Sequence, residues 1–135
     1  MAVFGDSMSE VPENLHYTKE HEWVKLEEGG IITVGITDYA QNALTDIVYI
    51  ELPEDLENEI GEGEEFAIVE SVKSASSIFA PLSGTIIEVN EELDDAPELM
   101  NESPYKEGWI VKMKLTNQDD VSSLISPEDY KKLIE

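Results

Sequence analysis

Seven short segments rich in β-branched and aromatic residues recur along this chain at intervals of ten to fifteen residues, and most end at glycine, proline or acidic turns. They are HEWVKLEE (21–28), IITVGIT (31–37), DIVYIELP (46–53), EFAIVES (65–71), SIFAPLS (77–83), TIIEVNEEL (85–93) and WIVKMKL (109–115). Segments of this length and composition read as strands, so the chain is predicted to fold as a mainly β domain. The last segment alternates most clearly. Val111, Met113 and Leu115 share one face and Lys112 and Lys114 the other, giving a core face and a wet face. Gly29-Gly30 predicts a hairpin between the first two segments. Pro53, followed by Glu54-Asp55, ends the third, because proline has no N–H to give to a ladder.

Two helices interrupt the strands. Thr37 is the candidate N-cap of a helix running to Leu44, with Ala40, Ala43 and Leu44 at helical spacing and Asp38 in the first turn, where the backbone dipole favours an anion. The second begins at Ser126 as N-cap with Pro127 in the first position. Glu128 and Asp129 meet its positive end, and Lys131 and Lys132 its negative end. A separate helical turn is expected between Asp119 and Ile125, since Ser126-Pro127 bars its continuation into the last helix.

A chain of 135 residues suits one hydrophobic core. Residues 1–9 read as a cloning-derived or disordered tail and residues 10–135 as a single domain closed by the C-terminal helix. The first fourteen residues have neither a basic start nor an apolar signal core, and no apolar run is long enough to span a membrane. The expectation is a soluble protein of the cytoplasm, or of the mitochondrial matrix in a eukaryote, with no membrane partner. Formal charge is −23, from 31 acidic residues against eight lysines and no arginine, so a nucleic-acid backbone would be repelled over almost the whole surface. Cysteine is absent, which removes disulfides, thiol nucleophiles and cysteine metal sites together. His16 and His21 have acidic neighbours but no further ligand that completes a metal site, and Glu91-Glu92 with Asp94-Asp95 lacks the glycine turn and ligand rhythm of a calcium loop. No metal is expected. No nucleophile motif or phosphate loop appears either, which argues against an enzyme.

Lys73 stands apart from the other lysines. It lies in Val69-Glu70-Ser71-Val72-Lys73-Ser74-Ala75-Ser76, between two strand-like segments, with Gly63 ten residues before it and Gly84 eleven residues after. Small polar residues permit a tight reversal there, and a lysine at such a tip stands clear of the core. A single lysine in a turn is ordinarily a solvated surface residue; the surrounding sequence is what gives this one another reading.

The pattern ESVKSAS…FAPLSG resembles the lipoyl-attachment hairpin. LHYTKEHEWVKL, VGITDYAQNAL, DIVYIELPE, VESVKSASSIFAPLSGTIIEVN and PYKEGWIVKMK, in that order over residues 15–134, resemble the glycine cleavage H-protein family. That resemblance implies a barrel-sandwich hybrid like that of lipoyl and biotinyl domains, two antiparallel sheets with short flanking helices. It also implies a non-enzymatic carrier with lipoic acid joined covalently to Lys73. The implied partners are glycine decarboxylase, which loads the aminomethyl group, the tetrahydrofolate-dependent aminomethyltransferase, which unloads it, dihydrolipoamide dehydrogenase, which reoxidises the arm, and a lipoate-attaching enzyme. Glu70 and Ser71, which precede the lysine on the same turn, are expected to position it for the lipoylating enzyme, and the resemblance implies that Glu22 meets the amine of the loaded arm in a surface cleft.

Four positions depart from the family pattern. Ser77 stands where an aspartate is common, with Glu20 at a small-hydroxyl position able to supply the displaced charge; Ala43 stands where some members have a cleft histidine, and Thr45 where glycine often follows the first helix. The lipoyl domains of 2-oxoacid dehydrogenases put aspartate immediately before the lysine, and biotinyl domains flank it with methionine. Val72 and Ser74 fit neither. A role relaying lipoate to other complexes is not separable from the glycine-cleavage role by sequence.

Overall fold

A computed structural model describes residues 9–54, 56 and 58–135. Apart from Ser9, the tail assigned to residues 1–9 lies outside the described residues, as does Asp55 of the expected turn. Among the described residues, nine strands form two antiparallel sheets. The larger has the order β1-β2-β3-β9-β8-β5 and the smaller β4-β6-β7. In chain order these strands are β1 His16–Tyr17, β2 Glu22–Leu26, β3 Ile31–Ile36, β4 Ile47–Glu51, β5 Glu59–Ile60, β6 Glu65–Ser71, β7 Ala75–Phe79, β8 Gly84–Val89 and β9 Val111–Leu115. All seven expected segments are present. The two-residue β1 and β5 are additions that no hydrophobic alternation signals, because each is too short to show a period.

The ends differ from the sequence reading where side chains intervene. TIIEVNEEL does not run as a strand to residue 93. It stops at Val89, and a helical turn takes over only after Asn90, whose amide donates to the carbonyls of Glu107 and Trp109, each at 2.8 Å. Asn90 also accepts from the Glu92 N–H through Oδ1, so its side chain serves three partners while its own N–H still donates to the Ile110 carbonyl at 3.0 Å. Numbered in chain order, the four helices are α1 Asp38–Leu44, α2 Glu92–Asp95, which is that turn, α3 Leu99–Glu102 and α4 Pro127–Leu133. The sequence reading had only α1 and α4. The Thr37 hydroxyl accepts from the Ala40 N–H and the Ser126 hydroxyl from the Asp129 N–H, the capping geometry expected for both. The separate turn before α4 is a 3-10 helix over Gln118–Ser123.

Gly29 and Gly30 both have positive φ, 74° and 76°, and turn the chain from β2 into β3. The main core lies between the sheets and includes Val24, Val34, Val69, Leu82, Val111 and Met113, each fully buried. On β9 the alternation holds, with Val111, Met113 and Leu115 inward. A second cluster of Val11, Leu15, Tyr17, Trp23 and Tyr130 covers part of the other face of the larger sheet. Adjacent residues of β2, Trp23 and Val24, therefore bury opposite faces, as the two-residue period of a strand requires. Tyr130 anchors α4 by stacking on Tyr17, with ring centroids 4.6 Å apart and planes 10° from parallel.

Candidate functional site

The hairpin β6–β7 carries Lys73 at its tip. Val69 pairs with Ser76 and Glu70 with Ala75, leaving the four residues Ser71 to Ser74 to reverse the chain. Ser71 organises the reversal. Its N–H donates to the Ser74 carbonyl at 2.8 Å, and its hydroxyl oxygen accepts from the N–H groups of Lys73 at 3.2 Å and Ser74 at 3.1 Å. The Val72 N–H donates to the Asp46 carbonyl at 3.0 Å, tying the tip to the residue before β4. Lys73 is exposed. Neither of the two ion pairs among the described residues, Lys112 with Glu27 and Lys131 with Glu13, engages it. A primary amine so placed is open to acylation. Glu70 faces outward in a cross-strand row, opposite Tyr49 on β4 and Ala75 on β7.

Glu22 has the contrary setting. It is 1 % exposed at the start of β2. One carboxylate oxygen accepts from the Thr18 hydroxyl at 2.5 Å and the other from the Phe79 N–H at 3.2 Å. Burial pushes its pKa up to about 7, against the pull of those two hydrogen bonds, which favour the charged form. His21 makes the inward turn possible. Its φ is 71°, a costly backbone for a side chain with a Cβ. That conformation is held by the His21 N–H on the Thr18 carbonyl, the Thr37 N–H on the His21 carbonyl, and a 2.8 Å hydrogen bond between His21 Nδ1 and the Tyr130 hydroxyl.

Beside Glu22 opens a cavity of about 420 Å³, walled by Thr18, Glu20, Gly63, Phe79, Pro81 and Leu124 among others. Glu22 and Glu20 thus converge on one cleft. Ser77 does not line it; its hydroxyl donates to Glu65 at 2.5 Å on the hairpin. Ala43 is exposed on α1 and also lies away from the lining. Thr45 closes α1 with φ 67° and ψ −146°, a region that suits glycine. Asn101 holds it there, donating to the Thr45 carbonyl and to Gln41 while accepting from the Ile47 N–H.

The cleft and the lysine lie at opposite ends of β7. Phe79 is four residues beyond Ala75, roughly 14 Å at strand rise. β7 is also the edge of its sheet, so one side of it is not covered by a neighbouring strand. A lysine extended by a medium-chain acyl group spans a comparable distance, so the residues present fit a lipoyl arm laid back from Lys73 toward Glu22. Thr18, whose hydroxyl orients the Glu22 carboxylate, was not singled out by sequence reasoning. Its spacing four residues before Glu22 was visible, but the contact depends on the turn at His21.

Two antiparallel sheets flattened into a barrel, with one lysine shown on an exposed hairpin turn, define a barrel-sandwich domain of the lipoyl and biotinyl type. Comparison with known proteins narrows the class. The profile of the family described as Glycine cleavage H-protein matches residues 15–135. A Glycine cleavage system H protein of Staphylococcus carnosus is 54 % identical over 124 residues, covering 92 % of this chain and 97 % of the relative. One from Carboxydothermus hydrogenoformans is 52 % identical over 128 residues, covering 95 % and 97 %. The crystal structure of a glycine cleavage system H protein from Mycobacterium marinum superposes with a TM-score of 0.81 at 35 % identity, covering 90 % of this chain and 97 % of that one. The chain belongs to the glycine cleavage H-protein family, and it is a carrier, not an enzyme. No helix among the described residues is long and apolar enough to cross a membrane.

Proposed function

We propose that Lys73 bears the lipoyl group, and that through it the chain carries the aminomethyl unit of glycine from the decarboxylase to the tetrahydrofolate-dependent aminomethyltransferase. The observation that carries this reading is the pairing of an exposed lysine at one end of β7 with a buried carboxylate and a cavity at the other. Bound lipoate would supply a disulfide able to take up the carbon unit on one sulfur, to become a dithiol once that unit and its ammonia have left, and to be closed again by dihydrolipoamide dehydrogenase. The chain's residues do the rest. Lys73 tethers, which turns a bimolecular encounter into an intramolecular one at an effective concentration of roughly millimolar. Ser71 and the Asp46 carbonyl hold the turn that presents it.

Glu22 receives the amine of the cargo. With a pKa near 7 it is about half ionised at neutrality when alone. An ammonium brought alongside favours the carboxylate form, and the pair gains from partial exclusion of water. Thr18 and the Phe79 N–H fix the carboxylate's direction beforehand. By likeness to its bacterial relatives, we read the compartment as the cytoplasm.

The test is peptide mass mapping after incubation with lipoate–protein ligase, lipoate and ATP. One lipoyl mass is expected on the peptide containing Lys73, and Lys73→Arg is expected to abolish it, because a guanidinium forms no such amide. Labelling that persists in Lys73→Arg would overturn the assignment. The cleft is tested separately by loading wild type and Glu22→Gln and comparing ammonia and formaldehyde release at neutral pH. Faster release from Glu22→Gln is expected; equal release would remove Glu22 from the reading and leave Lys73 in it.

A further inference from the structure

Among the described residues, the three most exposed large apolar side chains are Val72 at 65 %, Val48 at 53 % and Tyr49 at 48 %. All three gather at the Lys73 end of the smaller sheet. Val72 directly precedes the lysine, and its N–H is bonded to the carbonyl of Asp46, two residues before Val48. A bulge in β4 adds to the exposure. Ile47 opposes Ser71 and Tyr49 opposes Glu70, so Val48 is an extra residue with no partner of its own. Two consecutive side chains therefore face water where strict alternation would send one inward. A scattered exposed valine needs no explanation, but three exposed apolar side chains around one turn mark a contact surface.

The charges around this corner have one sign. Asp46 and Glu70 are exposed there, and Lys73 is the only lysine on β4, β6, β7 or the turn between β6 and β7. The surface that fits is apolar at its centre and basic at its rim, since a neutral or acidic rim would leave these carboxylates unpaired on contact.

Of the enzymes that act on a lipoyl carrier, most reach the far end of the arm and need not touch its root. The enzyme that makes the amide must bring Lys73 Nζ into its own active site, and so must cover Val72 and the β4 bulge. We propose that Val48, Tyr49 and Val72 form the docking surface for the lipoate-attaching enzyme. The proposal rests on the reading of Lys73 as the attachment site.

Steady-state lipoylation of the unmodified full chain by lipoate–protein ligase tests it, with the concentration of the chain varied at saturating lipoate and ATP. Val48→Ser should raise the KM for the chain about threefold and the Val48→Ser/Tyr49→Ser variant about tenfold, with kcat within about twofold of wild type. Ile87→Ser removes a half-exposed apolar side chain from β8 in the other sheet and should leave both constants unchanged. A second measurement is independent of turnover. Lys73→Arg should inhibit lipoylation of wild type competitively, and the same chain with Val48→Ser/Tyr49→Ser should inhibit about tenfold more weakly. Circular dichroism of each variant confirms that the fold is kept. A KM for the double variant within about twofold of wild type, together with equal inhibition by the two Lys73→Arg chains, would overturn the docking surface while Lys73 stands. No label on wild type would overturn the attachment site and this surface with it.

Discussion

At one end of β7, Lys73 sits on an exposed turn held mostly by bonds among Ser71, Lys73 and Ser74; at the other, Glu22 is buried and its carboxylate is held by Thr18 and by the Phe79 N–H, from two distant parts of the chain. The first arrangement is local and tolerant. Its hydrogen bonds are exposed and compete with water, so each contributes little to stability. The second is costly to build, since it needs His21 in a left-handed conformation, a carboxylate out of water, and Tyr130 of α4 bonded to both His21 and Thr37. A carrier of this kind needs both. On the proposed reading, the attachment point must be open to the lipoylating enzyme, while the holding site must exclude water and stay put.

Because the two ends differ in how they are held, substitutions should divide them. The largest effect is expected at the base. Trp23 is buried beside Glu22, donates from Nε1 to the Pro104 carbonyl at 2.9 Å, and lies over Gly35, where a Cβ would come within 2.6 Å of its ring. Trp23→Ala should cost roughly 3–5 kcal/mol by urea unfolding, and Gly35→Ala roughly 1–3 kcal/mol by overpacking against the indole. A loss below about 1 kcal/mol in Trp23→Ala would erase the distinction between the two ends.

Next comes the proton at Glu22. A carboxyl whose pKa is raised in the folded state binds more protons folded than unfolded between about pH 4.5 and 7. Its ionisation therefore lowers stability as pH rises through that window and costs nothing further above it. The total is on the order of 2–3 kcal/mol. Glu22→Gln has no proton to lose, so the stability difference between Gln and wild type should shift in favour of Gln by about that amount from pH 5 to pH 8. Taking the difference cancels the other acidic groups. A difference that stays flat across this range would place Glu22 in a more polar setting than the fold indicates.

Smaller effects are expected at the tip. Ser71→Ala removes the acceptor for two N–H groups of the turn, and should slow lipoylation several-fold while changing stability by about 0.5–1 kcal/mol. A stability loss as large as that of Trp23→Ala would show that the turn is part of the core. The smallest change is a gain. Thr45→Gly relieves a strained backbone at the end of α1 and should raise the unfolding free energy by up to about 1 kcal/mol, part of it offset by the added freedom of glycine in the unfolded chain.

The difference between the ends also explains what could be read from the residues alone. The strands declared themselves by composition and by the breaks between them, and both capped helices by Thr37 and Ser126, because capping and turn formation are contacts within a few residues. The exposed hairpin turn at Lys73 was legible for the same reason; the hydrogen bonds by which Ser71 shapes that turn were not read from the sequence. Val89 as the end of β8 was not, since the side chain of Asn90, the next residue, is engaged by carbonyls of Glu107 and Trp109 seventeen and nineteen residues away. Ser77 and Glu20 were read together at the cleft, with Glu20 supplying the charge that Ser77 lacks, and the two part company: Glu20 lines the cavity and Ser77 serves the hairpin.

By itself, then, the sequence determined the strand content, the hairpin with its single lysine, the exclusion of cysteine chemistry and the acidity of the surface, each a matter of residue type or short-range spacing. Only the tertiary structure decided that Glu22 is buried, that Thr18 and the Phe79 backbone aim it, and that the β4 bulge sets Val48 and Tyr49 outward near Lys73. Those facts join residues up to 57 positions apart. The free energy of a buried charge or an exposed valine is set by what surrounds it in space, and a linear pattern does not contain that.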